Sequence, residues 1–267
     1  MESYTFIIQL VIMYISSSSL RANPLAGENV KKVTQNDLQY VVSIAYRERS
    51  PERKNNHLCC GILISPRNVL TIERCLIGKE IQDLVIYIGS SDIRGSREYF
   101  PKRWITYNSW IRTSKSGSPP VLSTDIAVVK LNREVVLKNL KPASMFWATY
   151  NEFKGNRLTV SGWGQLKDDT RSAYLKKASV HVLDQSECKD ITSRLVIGAE
   201  KLICTSAIPH VITKPGDFGG PLVDIYRRVI GISYGVLFKE LNNPSSATNV
   251  HLNVAYYRKF IEYFMKS

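Results

Sequence analysis

The stretch Gly216-Asp217-Phe218-Gly219-Gly220-Pro221-Leu222 is the starting point for interpreting this chain. Glycine and proline are residues that tight turns favour for conformational reasons. The apolar residues Leu222-Val223 predict a strand directly behind the turn. Taken alone, the heptapeptide also fits a plain hairpin turn, because short glycine-rich motifs recur by chance. Its meaning therefore depends on what accompanies it along the chain.

Several other stretches carry distinctive residues at defined spacing. Residues 57–64 (HLCCGILI) and 69–75 (VLTIERC) place Cys59 and Cys75 sixteen positions apart. Further along come three short apolar stretches and an apolar run at helical intervals near the end: residues 123–131 (STDIAVVKL), 160–164 (VSGWG), 230–235 (IGISYG) and 254–265 (VAYYRKFIEYFM).

Together these stretches resemble the trypsin-like (chymotrypsin-fold) serine protease family. In that family the heptapeptide reads Gly-Asp-Ser-Gly-Gly-Pro-Leu, and the segment ending at the second cysteine reads Val-Thr-Ala-Ala-His-Cys. The resemblance covers residues 24–265 in the family's order. It implies an all-β fold of two antiparallel six-stranded Greek-key β-barrels, with a cleft between them and a C-terminal α-helix.

The N-terminus predicts a targeting segment. Residues 6–15 form an apolar run too short to span a membrane, and serines follow at 16–19. We therefore expect a signal peptide over residues 1–19 and a secreted, extracellular protein. The family domain would occupy residues 20–267, with the first barrel over about 30–140, the second over about 141–252 and the helix over about 254–265.

The resemblance places the family's catalytic triad at Arg74, Asp125 and Phe218. Arg74 stands where the family has its general-base histidine, and a guanidinium stays protonated at physiological pH. Phe218 stands where the family has its nucleophilic serine. We therefore expect no functional triad, and an ion pair between Arg74 and Asp125, because a buried carboxylate needs a partner. The backbone amides of Gly216 and Phe218 occupy the oxyanion-hole positions.

The sequence also departs from the family at the site of proteolytic activation. An active member is cut after a basic residue, and the new amino terminus pairs with the Asp before the nucleophile. That acceptor is present as Asp217, but the corresponding cut would fall between Asn23 and Pro24.

The specificity-pocket positions depart from the family as well. Where a trypsin-like member has Asp at the pocket base, this chain has Ile212, and Asn249 replaces a pocket-wall glycine. Ser233 and Gly235 keep the family's residues on the strand that pairs with substrate. The resemblance thus implies a surviving backbone groove beside a narrowed or apolar pocket.

Five cysteines leave one unpaired if two disulfides form. The family's spacing implies the bridges Cys59–Cys75 and Cys188–Cys204. The odd residue, Cys60, is interpreted as a buried thiol; an inter-chain bridge, or an exchange of roles with Cys59, is the alternative.

The net charge of +13 suits a partner with an acidic surface. The candidate anion-binding face consists of Arg47, Arg49, Arg53, Lys54, Lys102 and Arg103. Ordinary solvated loop charge explains these residues equally well. No nucleic-acid motif accompanies the charge, so no nucleic-acid partner is expected, and we predict no metal and no cofactor.

These observations favour a secreted, non-catalytic serine protease homologue. It would bind a protein partner, namely a protease, zymogen or inhibitor, as a regulator, decoy or scaffold of a protease cascade in immunity or venom. One alternative is a cationic protein that binds glycosaminoglycan, lipid or microbial surfaces. Another is a working hydrolase with a displaced nucleophile such as Thr213 or Cys60, which would require a base that the sequence does not reveal.

Overall fold

The computed structural model describes residues 29–113, 124–165, 171–207, 211–238 and 246–267. The predicted signal peptide lies outside the described residues. The described residues form two antiparallel β-sheets with short helices. The described strands are β1 (Lys31–Lys32), β2 (Val41–Tyr46), β3 (His57–Ser65), β4 (Asn68–Thr71), β5 (Leu84–Ile88), β6 (Arg97–Tyr99), β7 (Pro101–Thr106), β8 (Ala127–Leu131), β9 (Arg157–Gly162), β10 (Lys176–Val182), β11 (Leu202–Ser206), β12 (Pro221–Val223), β13 (Val229–Phe238) and β14 (Ala247–Asn253).

The first sheet runs in the order β6-β5-β2-β3-β4-β8-β7. Its strands are rich in Val, Ile and Leu, which suit a pleated surface, and most of their residues are buried. It has seven strands because the extended stretch from Arg97 to Thr106 is divided into β6 and β7 between Tyr99 and Pro101. Proline cannot donate a ladder hydrogen bond, which fits a strand beginning at Pro101.

The second sheet runs in the order β1-β10-β11-β14-β13-β12-β9, and β9 also pairs with β10. That pairing, with Val180 opposite Leu158, closes six of its strands into a barrel. The outlying strand β1 pairs with β10, so the segment from Lys31 belongs to the second sheet although the first barrel was predicted to start at about residue 30. The all-β, two-unit architecture predicted from the sequence is confirmed.

Five α-helices lie in the described part of the chain: α1 (Arg53–Asn56), α2 (Tyr107–Thr113), α3 (Tyr150–Phe153), α4 (Gln185–Thr192) and α5 (Arg258–Met265). The C-terminal helix α5 begins at Arg258, four residues later than predicted. It packs on β3 and β4, and Phe260 lies edge-on to the ring of Tyr107 at 5.5 Å. Asn68 Nδ2 donates to the carbonyl oxygen of Phe264 at 2.8 Å, which anchors the last turn.

One hydrophobic core contains residues of both sheets, among them Ile62 and Leu70 of the first and Ile232 and Leu252 of the second. At the junction of the sheets, Cys60 N donates to the carbonyl oxygen of Phe218 at 2.8 Å. The heptapeptide quoted above is therefore fixed against β3, between the two units.

Two disulfides, Cys59–Cys75 and Cys188–Cys204, confirm the predicted pairing. Cys60 is buried and carries a free thiol, also as predicted. Among the described helices, none is long and apolar enough to cross a membrane.

Candidate functional site

The turn around Phe218 keeps the backbone that its glycines allow. Gly216 has φ +96° and Gly219 has φ +82°, a region that L side chains rarely adopt. A Cβ on Gly219 would meet the carbonyl oxygen of Cys60 at 2.2 Å, so no larger residue fits there. Gly219 N donates to Ser233 O at 2.8 Å, which ties the turn to β13. The Gly216 and Phe218 amides are thus held in one turn.

Phe218 itself belongs to the core rather than to solvent. Only 8% of its surface is exposed, and it is part of the hydrophobic cluster shared by the two sheets. A phenyl ring has no proton to lose and no lone pair with which to attack a carbonyl. The position that would carry a nucleophile therefore contributes packing.

Arg74 and Asp125 form the ion pair predicted from the sequence. The Arg74 Nε–H donates to Asp125 Oδ2, and the Arg74 backbone N–H donates to Asp125 Oδ1 at 2.7 Å. The Asp125 side chain is 13% exposed, whereas that of Arg74 is 42% exposed. Burial opposes the charge on Arg74, but Asp125 and Tyr234 outweigh it and raise the pKa of the guanidinium.

Arg74 is also stacked on an aromatic ring. Its guanidinium carbon lies 4.2 Å from the centre of the Tyr234 ring, in cation–π geometry. Tyr234 precedes Gly235 on β13, so the stacking joins Arg74 to that strand. The sequence predicted Asp125 as the partner of Arg74 but did not indicate Tyr234.

His57 contacts the turn at Gly216 and has both ring nitrogens bonded within the protein. Its Nε2 lies 2.8 Å from the carbonyl oxygen of Gly216, which can only accept, so Nε2 carries the proton. Nδ1 therefore accepts from Ser43 Oγ at 2.7 Å. Burial is the main cause that lowers the pKa of His57, to about 3. The imidazole is neutral, buried and fully bonded within the protein.

Cys60 donates its thiol to the same Gly216 carbonyl oxygen at 3.0 Å. Burial, together with the charge of Asp217, raises the pKa of the Cys60 thiol. A catalytic cysteine needs the opposite, an accessible thiolate of lowered pKa. Cys60 and His57 thus meet at one carbonyl but have the electrostatics of a structural pair.

A second serine–histidine contact lies behind the pocket. Ser233 Oγ lies 3.5 Å from His251 Nδ1, and Thr205 Oγ1 lies 2.9 Å from His251 Nε2. Both Ser233 and His251 have no exposed surface, and burial lowers the pKa of His251 to about 3. No substrate carbonyl can reach a serine in that position.

Asn249 occupies the predicted specificity pocket. Its Oδ1 accepts from Thr213 N at 2.7 Å and from Thr213 Oγ1 at 3.1 Å, and its Nδ2 donates to Val211 O at 2.7 Å. Ile212 lies between these partners and is 4% exposed. The pocket is thus closed by internal hydrogen bonds, which also engage the hydroxyl of Thr213. Gly235, by contrast, faces open space.

Asp217 is a buried carboxyl group. Its Oδ1 accepts from Gly164 N at 2.8 Å and its Oδ2 from Lys214 N at 3.0 Å. Burial raises its pKa to about 7, although these two amides and the charges of Lys176 and Lys214 favour the anion. Within the described residues no salt bridge reaches this carboxylate.

The predicted anion-binding residues do not all remain free. Arg53 Nη2 pairs with Glu98 Oε1 at 2.7 Å, and Lys54 Nζ pairs with Glu52 Oε2 at 3.1 Å, so these two cations already have partners. Lys102 and Arg103 are exposed on β7, and Arg47 and Arg49 are exposed after β2. In the described part of the chain, no cluster of three or more potential metal ligands is present.

Comparisons with known proteins agree with this architecture. Residues 28–261 match the Trypsin family, so the chain belongs to the trypsin-like serine protease family. Seminase of Drosophila melanogaster is 30% identical over 203 residues, covering 74% of this chain and 70% of that protein. Human granzyme M is 28% identical over 222 residues, with 79% and 82% covered.

Solved structures support the fold. Neuropsin, a serine protease expressed in the limbic system of mouse brain, gives a TM-score of 0.70 at 20% identity, with 88% of this chain and 98% of that chain covered. The Vibrio cholerae VesB protease gives a TM-score of 0.67 at 21% identity, with 87% and 66% covered.

We predict that Asp217 makes the protein less stable as the pH rises from about 4 to about 7. Over that range the folded carboxyl holds its proton while the unfolded one, with an ordinary pKa, has lost it. The free energy of unfolding therefore falls with pH, by about 1.4 kcal/mol for each pKa unit between the two states. Urea unfolding of wild type and Asp217→Asn at several pH values measures this effect.

The wild-type stability curve should fall more steeply than that of Asp217→Asn over this pH range. Other titrating groups are common to both proteins and cancel in the difference. Parallel curves would show that Asp217 ionises normally in the folded protein.

Proposed function

We propose that this chain is a secreted, non-catalytic member of the trypsin family that binds a protein partner through the former substrate cleft. The observation that carries the proposal is the occupation of the triad positions by an Arg74–Asp125 ion pair and a buried Phe218. A protonated guanidinium cannot accept a proton, and a phenyl ring cannot attack a carbonyl. Regulation, decoy action or scaffolding in a protease cascade is the role that such a binder would have.

The surroundings of the triad support the same proposal. His57 and His251 are neutral and buried, so neither can replace the missing base at the cleft surface. Cys60 is buried with a raised thiol pKa, and the Thr213 hydroxyl is bonded to Asn249. Among these four described residues, the displaced-nucleophile alternative therefore finds neither an accessible nucleophile nor a base.

Secretion is supported by the cysteine chemistry. Two disulfides persist in oxidising compartments and are rare in the cytosol. The predicted signal peptide over residues 1–19 is consistent with that compartment. The net charge of +13 supports the alternative function, a cationic protein that binds anionic surfaces. However, Arg53 and Lys54 pair with carboxylates, so fewer cations of the predicted anion-binding face are available to such a surface.

We predict no covalent labelling of the purified protein by a fluorophosphonate and no turnover of a mixed peptide library above a buffer blank. Both reactions need a nucleophile that Phe218 does not supply. Bovine trypsin is the positive control, and an Arg74→His/Phe218→Ser variant shows whether the cleft becomes reactive once those side chains return. Labelling or turnover by the wild type that persists after further purification to remove contaminating proteases would overturn the proposal.

We predict that Gly235→Arg abolishes partner binding while leaving the fold intact. A Cβ at Gly235 meets no atom within 4 Å, so the position has room for a side chain, and we expect an arginine there to occupy the former cleft. Surface plasmon resonance against trypsin-family zymogens, active proteases and protein inhibitors would identify the partner and then measure the loss. Val136→Arg, at a residue that is 77% exposed, is the matched control and should bind as wild type does.

Equal binding by Gly235→Arg and Val136→Arg would place the partner outside the cleft. Thermal unfolding of both variants should match that of the wild type.

A further inference from the structure

Two cations from separate segments lie over one tyrosine ring at the end of β2. The guanidinium carbon of Arg49 and the ammonium nitrogen of Lys79 are each 5.2 Å from the centre of the Tyr46 ring. Arg49 follows directly in the loop after β2, whereas Lys79 comes from the turn after Cys75. The face of an aromatic ring attracts a cation, but two cations over the same ring also repel each other.

A third cation, Arg171, adds to the positive charge there. Its Nη1 is buried and has no hydrogen-bond partner among the residues that the structure describes. Burial and the nearby charge of Arg49 lower the pKa of Arg171. A buried donor without a partner costs free energy, and so does a like charge close by. An anion bound nearby would relieve the repulsion between these like charges.

Of the three cations, only Arg49 belongs to the anion-binding face predicted from the sequence. Over the described ranges, none of Arg49, Lys79 and Arg171 has a carboxylate within salt-bridge distance, whereas Arg53 and Lys54 do. A surface cavity of about 560 Å³ lies at Tyr46 and Arg49, and its lining also includes Arg47, Glu48, Gln82 and Asp83. We refer to Tyr46, Arg49, Lys79 and Arg171 as the Tyr46 cation cluster.

The Tyr46 cation cluster borders the former catalytic centre. Arg171 forms an isolated β-bridge with Gln165, and Gln165 N donates to Pro215 O at 3.3 Å. Pro215 directly precedes the turn that contains Phe218. The charge of Arg171 also contributes to the lowered pKa of His57, which bonds the same turn.

We propose that the Tyr46 cation cluster binds a carboxylate-bearing side chain in an acidic segment of the partner protein. This inference rests on the proposed function, because the segment would enter along the former cleft. Arg49, which lines the cavity, supplies N–H donors to the carboxylate, Lys79 and Arg171 add positive charge, and Tyr46 forms an aromatic floor. Guanidinium groups match the planar geometry of a carboxylate, which favours this ligand.

A short acidic segment fits the surroundings better than a sulfated glycan does. Glu48 and Asp83 line the same cavity and would repel a long polyanion that covered it. A glycan chain also needs cations along an extended track, but Arg53 and Lys54, next in that direction along the chain, are neutralised by glutamates. One carboxylate placed among three cations avoids both problems.

The test is a titration of the full mature chain with a fluorescein-labelled hexapeptide that carries a single glutamate among glycines and serines, followed by fluorescence anisotropy. Arg49→Gln/Arg171→Gln should weaken binding at least about tenfold, because it removes both guanidiniums. Lys138→Gln/Lys141→Gln is the matched control: it removes two exposed charges elsewhere and should change the affinity less than about twofold. Arg49→Gln alone, at an exposed position, should give an intermediate loss if the double variant is poorly folded.

If both double variants lost the same amount of peptide affinity, binding would depend only on the overall positive charge of the protein, and the proposal would be overturned. So would the absence of any binding at millimolar peptide, or preferential displacement of the peptide by a heparin hexasaccharide, which would indicate a glycan site. Peptidase turnover is measured on the same samples. Turnover would overturn the proposed function itself, whereas a failed titration without turnover would overturn the Tyr46 cation cluster alone.

Discussion

The ion pair between Arg74 and Asp125 is the interaction on which the former catalytic centre depends. In the family's arrangement, a carboxylate orients a base that gains and loses a proton. Here the same carboxylate holds a group that stays protonated, so the contact is permanent. The Arg74 backbone N–H and side chain both bond Asp125, and Tyr234 supports the other face of the guanidinium. On the proposed function, the pair is a fixed part of the structure rather than a site of proton transfer.

The scaffold around that centre is retained because it serves packing as well as chemistry. Gly219 is required by its close approach to Cys60, and Asp217 accepts amides from two segments. Substituting such residues would disturb the junction of the two sheets. Position 218, by contrast, tolerates a phenyl ring because its surroundings are apolar, and Asn249 fills the pocket with bonds of its own. Family membership thus follows from the scaffold, while the proposed function follows from the changed side chains.

The sequence predicted what the family resemblance carries and missed the contacts that have no counterpart in the family's motifs. The disulfides and the two-unit β fold follow from that resemblance, and the Arg74–Asp125 pair follows from it together with the cost of burying a lone carboxylate. The closure of the pocket by Asn249 depends on β14 lying beside β11, with Asn249 opposite Thr205. The Arg53–Glu98 pair joins residues 45 positions apart, so the charge pattern alone could not show that Arg53 is neutralised. The Tyr46 cation cluster likewise joins three separate segments.

A double-mutant cycle on Arg74 and Asp125 tests the central claim most directly. Urea unfolding would be measured for wild type, Arg74→Met, Asp125→Asn and the double variant. If the pair is structural, the coupling between the two residues should stabilise the fold by at least about 1 kcal/mol, within the range found for contacting residues. A coupling near zero, with each variant as stable as the wild type, would show that the pair contributes nothing to the fold and would contradict this account.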